Sequence, residues 1–355
     1  MPNPTRRMAP RVKAALVNAI YALPRPVRRL IAGRPIRRDA QLLDLDMQLL
    51  LRLQRIDGTR LLSSGTPEQA RLALDAASVL AAGPVITSVD VSELSIPSEN
   101  GGIGARLYVP PGVPAPSPLL VYYHGGGWVI GSLDSHDNSC RLLAAEAGVR
   151  VLSVDYRLAP EHPFPAATDD ALTAYRYAVG SAASLGVDPK AIALGGDSAG
   201  GNLAAVTAHQ AVLAGDARPV FLLLFYPGVD ATVRRRSRDL FADGFFLTGS
   251  DIDWFAERYQ PNVALRTDPR FSIMNAPDLS GLPPTYLATA GFDPLRDEGE
   301  AFAARLAEFG VPVVLRRHSG LVHGFVNFLA FGHGARTALS EAIGALRTGL
   351  ALTKP

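Results

Sequence analysis

A serine set among glycines is the strongest chemical signal in this 355-residue chain. It lies in Gly195-Gly196-Asp197-Ser198-Ala199-Gly200-Gly201, directly after the apolar run Ala191–Leu194 and ahead of a helix-forming stretch. Strand, sharp turn and helix form the context in which Gly-x-Ser-x-Gly exposes a nucleophile. So tight a turn strains the serine backbone, and side chains at Gly196 or Gly200 would crowd the neighbouring strand and helix. The helix N-terminus beyond Ser198 favours developing negative charge. The pentapeptide alone also fits a glycine-rich turn with an incidental serine, so the other groups decide.

Upstream, Tyr123-His124-Gly125-Gly126-Gly127-Trp128 follows the buried run Leu119–Tyr123, where a strand should end. The N–H groups of Gly125 and Gly126, with that of Ala199, are the expected donors to the oxyanion of a tetrahedral acyl intermediate. A loop of this kind can also cradle phosphate, but no Gly-Lys-Ser/Thr and no dinucleotide fingerprint accompanies it. His124 is expected to shape the loop through a hydrogen bond rather than to act as a base. The base and its orienting carboxylate are sought downstream. Thr285–Thr289 runs on to Asp293-Pro294-Leu295, placing Asp293 just past a strand, and His323-Gly324-Phe325 lies in the loop after the run Val313–Leu315. Serine, aspartate, histidine is a known chain order for such a triad. Both residues then belong with Ser198 at the C-terminal edge of a parallel sheet, where open α/β sheets bind ligands. Among the competitors, Asp297 and Glu298 read as acids starting a helix. His318 lies nearer the strand end, and His333 approaches the last helix.

Elements able to hold these groups are legible. Leu42, Leu45, Leu49, Leu50 and Leu53 recur at helical spacing, and Thr66-Pro67 opens another helix. Val85 to Ile96 and Gly104 to Val109 read as a hairpin turning at Asn100-Gly101-Gly102. Beyond it, apolar runs at 119–123, 149–154, 191–194, 220–225, 285–289 and 313–315 alternate with helix candidates at 169–179, 200–213 and 297–309. That alternation argues for a mostly parallel sheet with helices on both faces.

Composition narrows the class. Apolar residues make up 48% of the chain and the formal net charge is +2, which excludes disorder for the bulk. The lone Cys140 excludes an intramolecular disulfide or a multi-thiolate zinc site, and reads as inert core. With no apolar run of about 18 residues, a soluble cytoplasmic protein is expected. Residues 1–38 carry ten Arg or Lys and no acid. This leader is expected to be a solvated arm, with weak contact to an anionic membrane surface as the second reading. Nucleic acid is not an expected partner. Arg234, Arg235, Arg236 and Arg238 read as a solvated loop.

Taken together, His124-Gly125-Gly126-Gly127-Trp128, the stretch Asp155 to Ala166, the Gly-Asp-Ser-Ala-Gly-Gly elbow, Asp293-Pro294-Leu295 and His323-Gly324-Phe325 resemble the bacterial hormone-sensitive-lipase-like esterases. These are a branch of the α/β-hydrolase superfamily, and Asp197 places the chain with its Gly-Asp-Ser-Ala-Gly subgroup. The resemblance implies an α/β-hydrolase fold: an eight-stranded, mostly parallel sheet, helices on both faces and a helical cap. The division expected is cap helices 39–83, core 84–228, cap insertion 229–279 and core 280–355, with the basic arm 1–38 a departure that the resemblance does not cover. It implies carboxylesterase action on short- to medium-chain acyl esters without metal or cofactor, and a homodimer as one assembly. Long-chain lipid, amide or lactone substrates share the triad, and a non-catalytic receptor on this fold would lack His323. Asp155, Tyr156, Arg157 and Glu161 are expected to brace the loops. Trp128 and Phe246 are expected in the substrate pocket, and Phe245 is a further candidate for acyl contact.

Overall fold

The computed structural model describes residues 16–17, 19–57, 62–63, 65–99 and 101–351. A two-residue ribbon, β1 (Arg37–Arg38) with β2 (Gln41–Leu42), precedes the main sheet. That sheet comprises β3 (Asp90–Ile96), β4 (Ile103–Val109), β5 (Ser117–Tyr123), β6 (Arg150–Asp155), β7 (Val187–Asp197), β8 (Leu222–Phe225), β9 (Thr285–Phe292) and β10 (Val313–Val322). Its spatial order is β10-β9-β8-β7-β5-β6-β4-β3. Only β4 runs against its neighbours; every other pairing is parallel. The expected hairpin is the β3–β4 pair, with Asn100 of its turn outside the described residues.

The central strands are apolar because helices cover them on both sides. From Leu119 to Tyr123, Leu222 to Phe225 and Thr285 to Phe292, every residue is buried, the pattern of a parallel sheet closed to water on both faces. Register then decides what meets at the carboxyl edge. Tyr123 pairs with Gly196, Asp197 with Phe225 and Val322 with Phe292. The loops leaving β5, β7, β9 and β10 therefore open side by side.

Beyond the leader's helix Arg25–Ala32, two helices, Leu45–Asp57 and Pro67–Ala81, come ahead of the main sheet. The second starts in a reciprocal capping box between Thr66 and Gln69. Between β8 and β9 the chain inserts the helices Arg236–Leu240 and Gly249–Tyr259 and two short 3₁₀ turns.

The described part of the basic leader departs from a solvated arm. Arg28 pairs with Asp46, and Gln48 donates to the carbonyls of Ala32 at 2.9 Å and Arg34 at 2.7 Å. Tyr21 stacks on Phe331 at 5.1 Å and donates to the Asp46 carbonyl. The cause is apolar: Ile20, Tyr21, Ile31 and Ala32 pack on Leu45, Leu49 and Leu53. Among the described residues, no helix is long and apolar enough to cross a membrane.

Candidate active site

Ser198 sits between β7 and the helix Ala199–Ala214 at φ 55°, ψ −118°. A side chain rarely adopts a positive φ, and such strain persists only where surroundings over-determine it. Here Ser198 N–H donates to the Phe225 carbonyl at 2.9 Å, and its own carbonyl accepts from Asn202 N–H at 3.1 Å. A methyl group at Gly200 would collide with the Tyr123 carbonyl, and one at Gly196 would press on Gly200 and Tyr123. The glycines let β5, β7 and the helix come this close.

His323 Nε2 lies 2.9 Å from Ser198 Oγ, and its Nδ1 lies 2.8 Å from Asp293 Oδ2. The second Asp293 oxygen accepts from Leu295 N–H at 2.8 Å, and the carboxylate is fully buried. With Asp293 able only to accept, Nδ1 carries the imidazole proton and Nε2 is left to accept from the serine. The Tyr226 ring packs against the imidazole, its centroid 4.5 Å away. Of the two residues expected downstream, His323 thus meets the serine and Asp293 meets His323; Asp297, His318 and His333 form no such contact.

The glycine loop requires one correction. Gly125 N–H, expected to face an oxyanion, donates to Asp197 Oδ1 at 2.9 Å. That carboxylate also accepts from Tyr122 at 2.9 Å and lies 3.2 Å from His136 Nε2. Burial alone would raise the Asp197 carboxyl, but His136 and the Tyr122 hydroxyl outweigh it and hold the group below the usual carboxylate range. By contrast, the N–H groups of Gly126, Gly127 and Ala199 donate to no acceptor among the described residues. Gly126 and Gly127, at φ 124° and 60°, turn the loop beside the elbow. Of the expected donors Gly125 is thus taken, and Gly127, not among them, has a free N–H beside Gly126.

His124 behaves as the sequence suggests. Its Nδ1 lies 2.8 Å from the Gly125 carbonyl, and Tyr156 stacks on it at 4.3 Å while donating to its carbonyl at 2.7 Å. Burial, reinforced by nearby His136, pushes the His124 imidazole down to about 3, so it stays neutral. Arg157 grips Asp170 at 2.7 Å. Glu161 acts through Arg71, which also donates to the carbonyls of Val129 at 2.8 Å and Ala159 at 2.9 Å.

A cavity of about 1720 Å³ opens over Ser198 and His323. Trp128 and Phe246 both line it; Trp128 stacks on Tyr259 at 4.7 Å, and Phe246 meets Phe328 edge-on at 5.0 Å. Phe245 turns away and is buried against Phe241 and Phe292. Cys140 is buried, and burial raises its thiol well above the usual range. Asp297 and Glu298 do more than start a helix. Asp297 accepts from Ser237 N–H at 2.8 Å, and Glu298 accepts from Val229 at 2.8 Å and Asp230 at 3.2 Å. The roles of Asp197, Arg71 and Asn202 went unassigned in the sequence, because their partners lie far away along the chain. Asn202, for one, donates to the carbonyls of Gly228 and Phe271, both at 2.8 Å.

The sequence profile of the family described as alpha/beta hydrolase fold matches residues 120–327. The carboxylic ester hydrolase LipN of Mycobacterium tuberculosis is 45% identical over 354 residues, 98% of this chain and 94% of that one. The chain belongs to the α/β-hydrolase family. The hormone-sensitive-lipase-like branch named from its motifs holds. This α/β-hydrolase is also 39% identical to an ethyl acetate hydrolase of Pseudomonas putida, over 80% of its length and 90% of the relative's. Among solved structures, an ester hydrolase from the metagenome of Lake Arreo, complexed with a bipyridine phosphonate derivative, superposes with a TM-score of 0.82. It has 39% identity and covers 86% of this chain and 98% of its own. The hyperthermophilic esterase of Pyrobaculum calidifontis gives a TM-score of 0.79 at 38% identity, covering 84% and 97%.

Proposed function

We propose that this α/β-hydrolase is a carboxylesterase acting through a covalent acyl-serine. The observation that carries the reading is His323 bridging Ser198 at 2.9 Å and Asp293 at 2.8 Å. His323 takes the serine proton as Oγ attacks the ester carbonyl. Asp293 holds the imidazole in the required tautomer and stabilises the imidazolium without taking its proton. The tetrahedral oxyanion is stabilised by the N–H groups of Gly126, Gly127 and Ala199. His323 then protonates the departing alcohol, the acyl-serine remains, and water attacks it by the same route in reverse.

Short- to medium-chain acyl esters are the proposed substrates, in keeping with the ester and acetate hydrolases among the relatives. A longer acyl chain is the second reading, favoured by the size of the cavity and its apolar wall of Leu50, Leu53, Leu72, Ala76 and Leu80. The helices ahead of the sheet and the insertion act together as the cap over the site. Hydrolysis of p-nitrophenyl esters from acetate to palmitate, compared with Ser198→Ala, tests the proposal. Best turnover on short chains with near-complete loss in the variant is the expected result. A palmitate optimum moves the assignment to the long-chain reading, and activity surviving in Ser198→Ala refutes the serine mechanism.

A further inference from the structure

The arginine run of the insertion does not form a simple solvated loop. Arg234, Arg235 and Arg238 line the same cavity as Ser198, and Arg266 joins them from the 3₁₀ turn Val263–Thr267. Four arginines of the insertion thus contribute to the cavity lining. Facing them are the carboxylates of Asp230, 3.0 Å from Arg235, and Asp253, 2.7 Å from Arg238. Asp239 offsets Arg234 from outside the cavity. Asp197 also reaches the wall but is committed to Tyr122, Gly125 and His136. Arg266 donates to the Gln260 carbonyl at 3.0 Å and has no carboxylate within ion-pair reach among the described residues. The Nε donors of Arg235 and Arg238 are buried without a protein partner. Burial pushes the Glu298 carboxyl up to about 8, so near neutrality it adds little negative charge to the wall. Positive charge is therefore in excess on the side the insertion contributes, while Leu50, Leu53, Leu72, Ala76 and Leu80, contributed by the helices ahead of the sheet, carry none.

We infer that the site takes esters bearing an anionic oxygen group, carboxylate or phosphate-like, which sits against the arginine wall while an apolar chain lies along the other. This rests on the carboxylesterase reading above. The planar guanidinium fork matches such oxyanions in pairs of hydrogen bonds. A low-dielectric cleft with an excess of one sign of charge also concentrates ligands of the other. A neutral ester leaves the buried donors unmatched.

The test compares kcat/KM for matched esters. The 3-carboxyphenyl and 3-phosphonophenyl butanoates are set against neutral 3-acetylphenyl butanoate, placing the anion on the alcohol side. Monoethyl glutarate is set against ethyl 5-oxohexanoate, placing it on the acyl side. At least one anionic ester is expected to exceed its neutral partner about tenfold, mainly through KM, as one added charge-assisted hydrogen-bonded contact would give. That ratio should shrink in about 0.5 M NaCl, where exposed charges are screened. Arg266→Gln, which breaks no ion pair, should cut the ratio about threefold or more. Arg235→Lys, which keeps a charge beside Asp230 but loses the fork, should cut it as well. Whichever pair shows the preference identifies the anion and its side of the scissile bond. Turnover of the neutral esters with no anionic preference in any pair, or a preference that both variants leave unmoved, overturns this inference alone. No turnover of any of the esters overturns the carboxylesterase reading beneath it as well.

Discussion

The loops at the carboxyl edge of the sheet and the walls above them hold their residues by different means. At the edge, each chemical group is fixed by partners distant in sequence. His323 is held by Asp293, Ser198 by Phe225, and the glycine loop by Asp197 and Tyr156. On the walls the arginines are held by nearby acids, Arg235 by Asp230 and Arg234 by Asp239. Some apolar side chains there are largely bare, with Leu72 70% and Ile56 68% exposed. The edge is therefore a set of interlocked long-range contacts that fixes the chemistry. The walls are local pairs and partly bare apolar faces, which can change without disturbing it, and the selectivity proposed above is assigned to them.

Substitutions at the edge should be far more damaging than those on the walls. His323→Ala is expected to lower kcat by about 10⁴–10⁶ with little change in melting temperature, measured by steady-state kinetics beside a thermal melt. Asp293→Asn should cost about 10⁴ while leaving the fold intact. Gly200→Ala strikes the same region through backbone geometry, since its methyl group would meet the Tyr123 carbonyl. Both turnover and melting temperature should fall, whereas Leu72→Ala on the wall should change kcat/KM less than about tenfold and leave the melt unmoved. If Leu72→Ala proves as harmful as Gly200→Ala, the contrast between edge and wall fails.

Two smaller effects sharpen the comparison where the regions join. Arg71 reaches from a wall helix to the carbonyls of Val129 and Ala159 and to Glu161. Arg71→Ala should cost about 1–3 kcal/mol in chemical denaturation, because it strands those acceptors. Glu298 reads the same junction through pH. Burial sets its carboxyl at about 8 in the folded chain, against an ordinary value of 4.5. Between those values the unfolded chain has released a proton that the folded chain keeps, so stability falls as pH rises through that window. Glu298→Gln should flatten this part of the pH dependence in thermal melts at about pH 5, 7 and 9. An unchanged slope would exclude Glu298 as its source.

What could be read from the sequence follows the same division. The strands, the elbow and the positions of Asp293 and His323 were legible because apolar periodicity and glycine spacing are local signals. The hydrogen-bond role of His124 was legible too, since it precedes the glycines it shapes. Gly125 was misplaced by one position because its donor is claimed by Asp197, a partner 72 residues away. The leader and the arginine run looked solvated because charge was read without the surface it packs on. Tyr21 meets Phe331, and Arg235 meets a cavity, only once the chain has folded.

The central claim, that Ser198 carries the acyl group, is tested most directly by covalent capture with a p-nitrophenyl alkylphosphonate. Oγ displaces p-nitrophenolate and forms a stable phosphonyl ester, which peptide mass spectrometry locates. The expected result is one adduct per chain on Ser198, p-nitrophenolate released in equal amount, and esterase activity lost in proportion. Inactivation with the label on another residue, or full labelling of Ser198 with activity intact, would contradict the account.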